Sequence, residues 1–322
     1  MLEMTATREQ RVEQAFFRGG SLTLENPEYA RTVRAITDEL LRTDLTPRDL
    51  TVVALGIGIG EAEAAVVAHE HGIAAGLEEW AFILRGFGVR SVLEKSDGDV
   101  IAPGDVLLRA EGSRGQLLWF ERVGLNLVQR MSGIATTTRH LDAIVRRRSP
   151  ATRVVATRKT PWGLLDKRAV HLGGGGTHRL GLSDAIVIKN NHLAQIDGQE
   201  EKAAPMAIAR TWKFRKQAAF IEVEVRSEAA ALAAARAFRR LQEESAEDYP
   251  SLVMLDNMTP EEIGGILSAL ARENLRDAIL IEASGGISEA NIEAYAASGV
   301  DAISVGALTH SARALDLSQK IS

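Results

Sequence analysis

Two rhythms of apolar and polar positions divide the chain. From Val154 onward, short apolar, β-branched runs alternate with longer segments of helical spacing. The runs read RVVA, AIVIK, IEVEV, LVMLD, AILIEA and DAISVGA. Between them the spacing predicts helices over 203–219, 227–243, 259–274 and 288–298. Thr259-Pro260-Glu261-Glu262 is a helix start in its own right, with Thr as N-cap, Pro at the first position and Glu at the third. Gly299 is placed to end the last of these helices. Strand-helix alternation implies a parallel sheet with right-handed crossovers, and roughly six such units favour a barrel.

Upstream the rhythm is mixed. Residues 1 to about 45 read as helical, most clearly in ARTVRAITDELL. The segment 51–60, TVVALGIGIG, is an apolar run ending in alternating glycines. It lacks the rest of a dinucleotide fingerprint and is predicted as a strand and turn. Helices are predicted over 62–71 and 77–87, separated by a turn at 72–76. Residues 91–108 alternate short β-like runs with turns at Asp97-Gly98 and Pro103-Gly104. Up to about residue 110 the chain therefore reads as a mixed α+β domain. A long helical pattern follows over 112–147, interrupted near Ser132-Gly133.

Composition narrows the function classes. The 322 residues suit one large domain or two ordinary ones, and 45% hydrophobic with 25% charged residues is ample for a sizeable core. There is no cysteine, which excludes disulfides, thiolate metal sites and a cysteine nucleophile, and fits a cytoplasmic location. The first twenty residues are charged and lack the apolar segment of a signal peptide, and no apolar run reaches the length of a membrane span. A pI near 5.9 and 5% aromatic residues argue against a dedicated nucleic-acid binder.

Against a formal net charge of -5, one stretch stands out. Residues 157–179, TRKTPWGLLDKRAVHLGGGGTHR, hold Arg158, Lys159, Lys167, Arg168, His171, His178 and Arg179 against the single acid Asp166. Its run of four glycines lets backbone N–H groups come close to a ligand. Cations with exposed backbone donors suit phosphate or carboxylate, while a solvated basic loop is the plain alternative. In a β/α barrel the site lies at the C-terminal ends of the strands. Here those ends carry Arg158 and Lys159, then Lys189, Glu224, Asp256, Ser284 with Gly285 and Gly286, and Gly306. That order points to an anion site, to carboxylates that hold Mg²⁺ through water or bind ribose hydroxyls, and to a terminal-phosphate loop. A sugar phosphate carrying a diphosphate satisfies all three. Glu222 shares the strand parity of Glu224 and is expected to be a buried, paired carboxylate.

The segments ERVGLNLVQRMSGIAT, TRKT, GGGGTHRLGLSDAIVIKNNH, EVEV, LDN, EASGGIS and SVGALTHS occur in this order. In them the chain resembles the quinolinate phosphoribosyltransferase family, also called carboxylating nicotinate-nucleotide pyrophosphorylases. The resemblance implies a type II phosphoribosyltransferase fold, an α/β arrangement with an N-terminal α/β sandwich domain (residues 1–128) and a C-terminal open α/β barrel (residues 129–307). A C-terminal tail (residues 308–322) would return to the first domain. It implies a homodimer or higher homo-oligomer with shared active sites. The implied reaction joins quinolinate to 5-phosphoribosyl 1-diphosphate, releasing nicotinate mononucleotide, diphosphate and CO₂ in de novo NAD synthesis.

Carried over by motif, Arg158, His178 and Arg179 resemble the binders of the quinolinate carboxylates. Arg122 resembles an arginine donated by the neighbouring subunit. Lys159 and Lys189 resemble the pair that reaches the substrate carboxylate and diphosphate. Glu224 and Asp256 resemble the ribose and Mg²⁺ carboxylates, and Ser284, Gly285 and Gly306 the 5-phosphate site. The chain departs from the family pattern at PWGLLDKRAV, which is shortened, and at IKNNH, where Asn190 stands in place of an acid. Two other readings remain open: a molybdenum-transport-associated relative taking another carboxylated base, and a non-catalytic ligand-binding homologue.

Overall fold

The structure, a computed structural model, describes residues 6–44 and 49–322. Its strands are β1 (Glu61–Ala68), β2 (Gly72–Ile73), β3 (Arg90–Leu93), β4 (Val100–Ile101), β5 (Val106–Ser113), β6 (Arg153–Val155), β7 (Ile186–Ile188), β8 (Ile221–Val225), β9 (Ser251–Asp256), β10 (Leu280–Ser284), β11 (Ala302–Ser304) and β12 (Leu317–Ile321). They fall into two compact units that interleave in sequence.

One unit comprises Gly19–His140, Lys159–Gly174 and Leu308–Ser322. Its sheet runs β12-β1-β5-β3, antiparallel throughout, beside a small β2-β4 ladder. The last strand of the chain thus pairs with the first: Ala64 faces Ile321 and Ala68 faces Leu317. The helix Leu164–Leu172 belongs to this unit. So does most of the long helix Arg114–Arg148, where Gly133 packs so tightly that a Cβ would sit 1.8 Å from the Arg313 carbonyl oxygen.

The other unit comprises the described residues up to Arg18, with Leu141–Arg158 and Gly175–Ala307. Its six strands form a parallel sheet in the order β6-β11-β10-β9-β8-β7. Strands β7 to β11 neighbour one another in chain order, so the connecting helices fall on one face of the sheet and the other turns inward as in an open barrel, and β8 is buried at every position. The N-terminal helix Arg8–Phe16 joins this core: Val12, Ala15 and Phe16 pack with Val155, Val187, Phe220, Leu252, Leu280 and Ala302. Leu252, Leu280 and Ala302 lie at or next to the starts of their strands, so this apolar plug occupies the end opposite the strand C-termini. Arg8 fixes the helix through Asp301, with Nε 2.6 Å from Oδ1 and Nη2 2.7 Å from Oδ2.

The alternation after Val154 predicts all six parallel strands and the helices Glu200–Trp212, Glu228–Ser245 and Pro260–Arg272, with the Thr259 capping box formed as expected. The upstream elements need correction. Residues 51–60 are not a strand: Leu50–Leu55 is a helix, because the Asp49 carboxylate caps the N–H groups of Thr51 and Val52 and Gly56 closes it at φ 65°. Residues 62–71 are not a helix: residues 62–68 belong to β1, whose Glu61 and Glu63 are exposed while Ala62 and Ala64 are buried. Period two outweighed the helix propensity of alanine. The helix Arg114–Arg148 runs through Ser132-Gly133 without a break, since Gly133 meets Arg313 there and the Ser132 hydroxyl accepts the Ala75 N–H at 3.0 Å. The helical expectation for residues 1–45 divides into Arg8–Phe16 and Pro27–Asp44, and residues 1–5 and 45 lie outside the described residues.

Candidate active site

The four glycines do not form an open cradle. Gly173 and Gly174 donate their N–H groups to Ala169 and His171 within their own turn. Gly176 joins the parallel sheet beside β6, donating to the Val154 carbonyl (2.9 Å) and accepting from Ala156 (2.8 Å). A Cβ at Gly176 would lie 2.8 Å from Val155, so the residue is small for packing rather than for a ligand. Sheet edge and close approach, not anion binding, account for this part of the run.

The run delivers the chain to Thr177-His178-Arg179, a turn with His178 at φ 54°. The end of the N-terminal helix holds it. The Phe16 carbonyl accepts from the His178 N–H (3.0 Å) and from the Thr177 hydroxyl (3.2 Å), and Arg18 pairs with both oxygens of Asp184 at 2.9 Å. Sequence reasoning missed Phe16 and Arg18, which act across about 160 residues of chain with no local motif to betray them.

His178 is enclosed. Its ring lies 5.5 Å from that of Phe16 and 5.2 Å from that of Phe220. Nε2 stands 3.2 Å from a Glu222 oxygen and 3.1 Å from a Glu282 oxygen, both carboxylates being wholly buried. Nδ1 accepts the Arg179 N–H at 2.7 Å. Burial opposes charge on the ring, but Glu282 and Glu222 outweigh it and push its pKa up to about 9. The Arg179 N–H faces Nδ1, so the proton on Nε2 lies between the two carboxylates. Glu222 is pushed above its ordinary value first by burial and then by Glu282. Spacing alone would let this trio grip a metal ion, but a protonated Nε2 is not a ligand. In this arrangement the ring fixes the peptide of Arg179, the next residue implied to bind the substrate carboxylates.

At the strand ends the charges are differently placed. Arg158 is exposed and has no ion pair or hydrogen bond among the described residues. Arg179 is buried, donates Nη1 to the Ala185 carbonyl at 3.2 Å, and makes no ion pair among the described residues. Burial and, next, the nearby Arg158 lower its pKa. Lys189 Nζ lies 2.5 Å from Glu224 and 3.6 Å from the Met254 sulfur. Burial opposes its charge, yet Glu224 outweighs this and holds the lysine pKa above its ordinary value. Asp256 Oδ2 accepts from Arg226 Nε (3.0 Å), Arg226 Nη2 (2.9 Å) and Asn257 Nδ2 (2.9 Å). Arg226, one residue past β8, was not singled out from the sequence, although its place after IEVEV is a strand-end signal like that of Lys189.

Each carboxylate therefore spends one oxygen on a cation. The second oxygens of Glu224 and Asp256 have no partner among the described residues. Two such oxygens fit Mg²⁺, which commonly takes one or two carboxylates and completes its shell with water and substrate phosphates. After β10, Gly285 and Gly286 adopt φ 95° and 62°. A Cβ on Gly285 would lie 2.3 Å from the Asn257 side-chain oxygen, and the Asn257 N–H is bonded to the Ser284 carbonyl at 2.8 Å. Ser284-Gly285-Gly286 is thus a bare backbone turn at the strand end, suited to phosphate. Gly306 follows β11, directly before the short helix Ala307–His310. Lys159 follows Arg158 in the chain, is exposed, and its carbonyl accepts from the Thr309 hydroxyl at 2.8 Å. Arg122 is exposed on the helix Arg114–Arg148 and forms no ion pair with Glu121.

Residues 49–132 match the N-terminal domain of quinolinate phosphoribosyl transferase, and residues 134–320 match its C-terminal domain. The chain belongs to the quinolinate phosphoribosyltransferase family. A probable carboxylating nicotinate-nucleotide pyrophosphorylase of Methanothermobacter thermautotrophicus is 40% identical over 288 residues, covering 89% of this chain and 98% of the relative. A counterpart from Bacillus subtilis is 36% identical, covering 90% and 93%. Among solved structures, the nicotinate-nucleotide pyrophosphorylase of Francisella tularensis aligns with a TM-score of 0.76 at 30% identity, covering 91% of this chain and 96% of that one. Fold and family thus agree with the strand-end motifs.

Proposed function

We propose that the chain joins quinolinate to 5-phosphoribosyl 1-diphosphate, yielding nicotinate mononucleotide, diphosphate and CO₂ for NAD synthesis. The observation that carries this reading is the pair Arg158 and Arg179. They are close enough to repel, and neither has an ion pair among the described residues. A dicarboxylate ligand offers such a pair its missing counter-charges, and guanidinium forks match carboxylates bidentately.

The roles follow from the charges. Arg158 and Arg179 hold the base, with Arg179 set by His178. Lys189 stays charged and, with Lys159, meets the leaving diphosphate. Glu224 and Asp256 face the ribose, whose C1 becomes electron-poor as diphosphate leaves, and fixed carboxylates stabilise that charge. Their open oxygens would hold Mg²⁺, which when bound offsets diphosphate charge. Ser284, Gly285 and Gly306 take the 5-phosphate through backbone N–H groups. Once its nitrogen bears the ribosyl group, the cationic ring stabilises the electron pair left on the adjacent carbon as the C–C bond to the carboxylate breaks and CO₂ departs. That carbon then takes a proton from solvent. No covalent nucleophile is required. The exposed Arg122, without an ion pair among the described residues, reaches the site of a second copy in a homodimer or larger assembly.

The direct test is an assay of quinolinate against nicotinate, each with phosphoribosyl diphosphate and Mg²⁺, following CO₂ and mononucleotide. Turnover of nicotinate without quinolinate turnover would overturn the assignment. Shared sites are tested by refolding Arg122→Ala with Lys159→Ala. Each variant alone is nearly inactive, and the mixture recovers roughly a quarter of wild-type activity if sites are independent. Heterodimers verified by mass without recovery would place Arg122 outside the partner's site.

A further inference from the structure

Two histidines in the barrel unit do the same thing with one ring nitrogen. His178 Nδ1 accepts the N–H of Arg179 at 2.7 Å, and His192 Nδ1 accepts the N–H of Lys189 at 2.9 Å. In each case a histidine pins the peptide of a cation that addresses an anionic ligand. Accepting through Nδ1 leaves the ring proton on Nε2. From there the two diverge. The Nε2 of His178 is buried against Glu222 and Glu282. The side chain of His192 is exposed, and its Nε2 has no partner among the described residues. One ring is closed off at both nitrogens, and the other keeps an oriented donor.

The place of that donor is informative. His192 sits in the short helix Asn190–Leu193, directly after β7, at the strand-end face. As the third helical residue it reaches back to the Lys189 N–H, so the ring is held rather than free to rotate. The Lys189 side chain meets Glu224 on β8, on the side of the site where the carboxylates stand. That is the ribose and diphosphate side, whereas the base is held by Arg158 and Arg179. We propose that His192 is a substrate-binding residue whose Nε2–H donates to an oxygen of the diphosphate group of phosphoribosyl diphosphate, oriented by the Lys189 N–H at Nδ1. The assignment rests on the phosphoribosyl-transfer reading. A ring N–H suits this position, because it adds a directed hydrogen bond to the anion beside the Lys189 ammonium.

The test separates the two ends of the ring. His192→Asn keeps an acceptor near the Nδ1 position for the Lys189 N–H and removes the Nε2 donor, while His192→Ala removes both. With the full chain, we expect His192→Asn to raise the KM for phosphoribosyl diphosphate about tenfold, the size expected for losing a hydrogen bond to a charged group. Inhibition by inorganic diphosphate should weaken by a similar factor, with the quinolinate KM and the melting temperature little changed. A phosphoribosyl diphosphate KM close to wild type in His192→Asn, with His192→Ala impaired, would reduce His192 to a backbone cap and overturn the proposal. A rise confined to the quinolinate KM would overturn it too. Calorimetric binding of inorganic diphosphate to wild type and His192→Asn reads the same contact without turnover, so failure of this assignment is distinguishable from failure of the reaction assignment.

Discussion

The cations of residues 157–179 have two fates. Arg158 and Lys159 are exposed at the end of the β6 segment, and Arg158 has no ion pair among the described residues. A few residues on, in the helix Leu164–Leu172, Lys167 and Arg168 are buried. Arg168 Nη2 lies 3.0 Å from Glu78 and its Nε 3.8 Å from Glu79, while the neighbouring Asp166 is bound bidentately by Arg130 at 2.8 and 2.7 Å. The two groups look alike in sequence. What separates them is desolvation: a buried charge must be matched by the fold, whereas a charge at a strand end can wait for a ligand. Substitutions in the first group should therefore remove activity and spare stability, and substitutions in the second should do the reverse.

The largest expected effect is at Lys159. Lys159→Ala should lower turnover on the order of 10²–10³, the usual cost of removing one preorganised charge opposite developing negative charge, with an unchanged melting curve. Wild-type turnover in the purified variant would erase the distinction. Next is Arg168→Ala, which leaves the buried Glu79 without its nearest cation. It should destabilise by about 3 kcal/mol, the low end for breaking a buried pair, measured by denaturant unfolding. Its kinetic constants well below the melting temperature should stay near wild type, and a selective rise in the quinolinate KM would move Arg168 into the first group.

A smaller effect is expected at the metal carboxylates. Glu224→Ala and Asp256→Ala should each raise the Mg²⁺ concentration for half-maximal activity by about tenfold, with quinolinate binding alone retained. Collapse of quinolinate binding instead would reverse the assignment of the two subsites.

The smallest effect sharpens the comparison through pH. In the antiparallel-sheet unit, burial, with the charge of Glu79 next, pushes Asp97 up to about 8. Its Oδ1 accepts the Leu77 N–H at 2.9 Å, but Oδ2 is buried without a hydrogen bond. The unfolded aspartate titrates near about 3.9. Between these values the folded chain binds more protons than the unfolded chain, so Asp97 makes stability fall as pH rises from about 4 to 8. Asp97→Asn keeps the acceptor for Leu77 and removes the titration. Its melting temperature should exceed that of wild type at pH 8 and converge with it near pH 4, and a constant difference across that range would show that Asp97 does not titrate there.

Much of the barrel was legible because parallel strands carry their signal locally. A strand buried on both faces reads as an uninterrupted β-branched run, and the residue after it marks the strand end. Lys189, Asp256 and Ser284 could be placed on that rule alone. The antiparallel unit was misread where the local signals conflicted. Alanines drew β1 toward helix, and Gly133 looked like a break because its neighbour Arg313 is remote in sequence.

By itself, then, the sequence determined the order of strands and helices after Val154, the family, and which residue types stand at the strand ends. Only the tertiary structure decided which charges are already matched. It set Arg168 against Glu78, enclosed His178 between Phe16, Phe220 and two glutamates, and left Arg158 and the His192 Nε2 without partners among the described residues. The reason is physical: periodicity is a property of neighbouring residues, but burial and pairing depend on groups brought together from distant parts of the chain, and the cost of an unmatched charge is fixed only there.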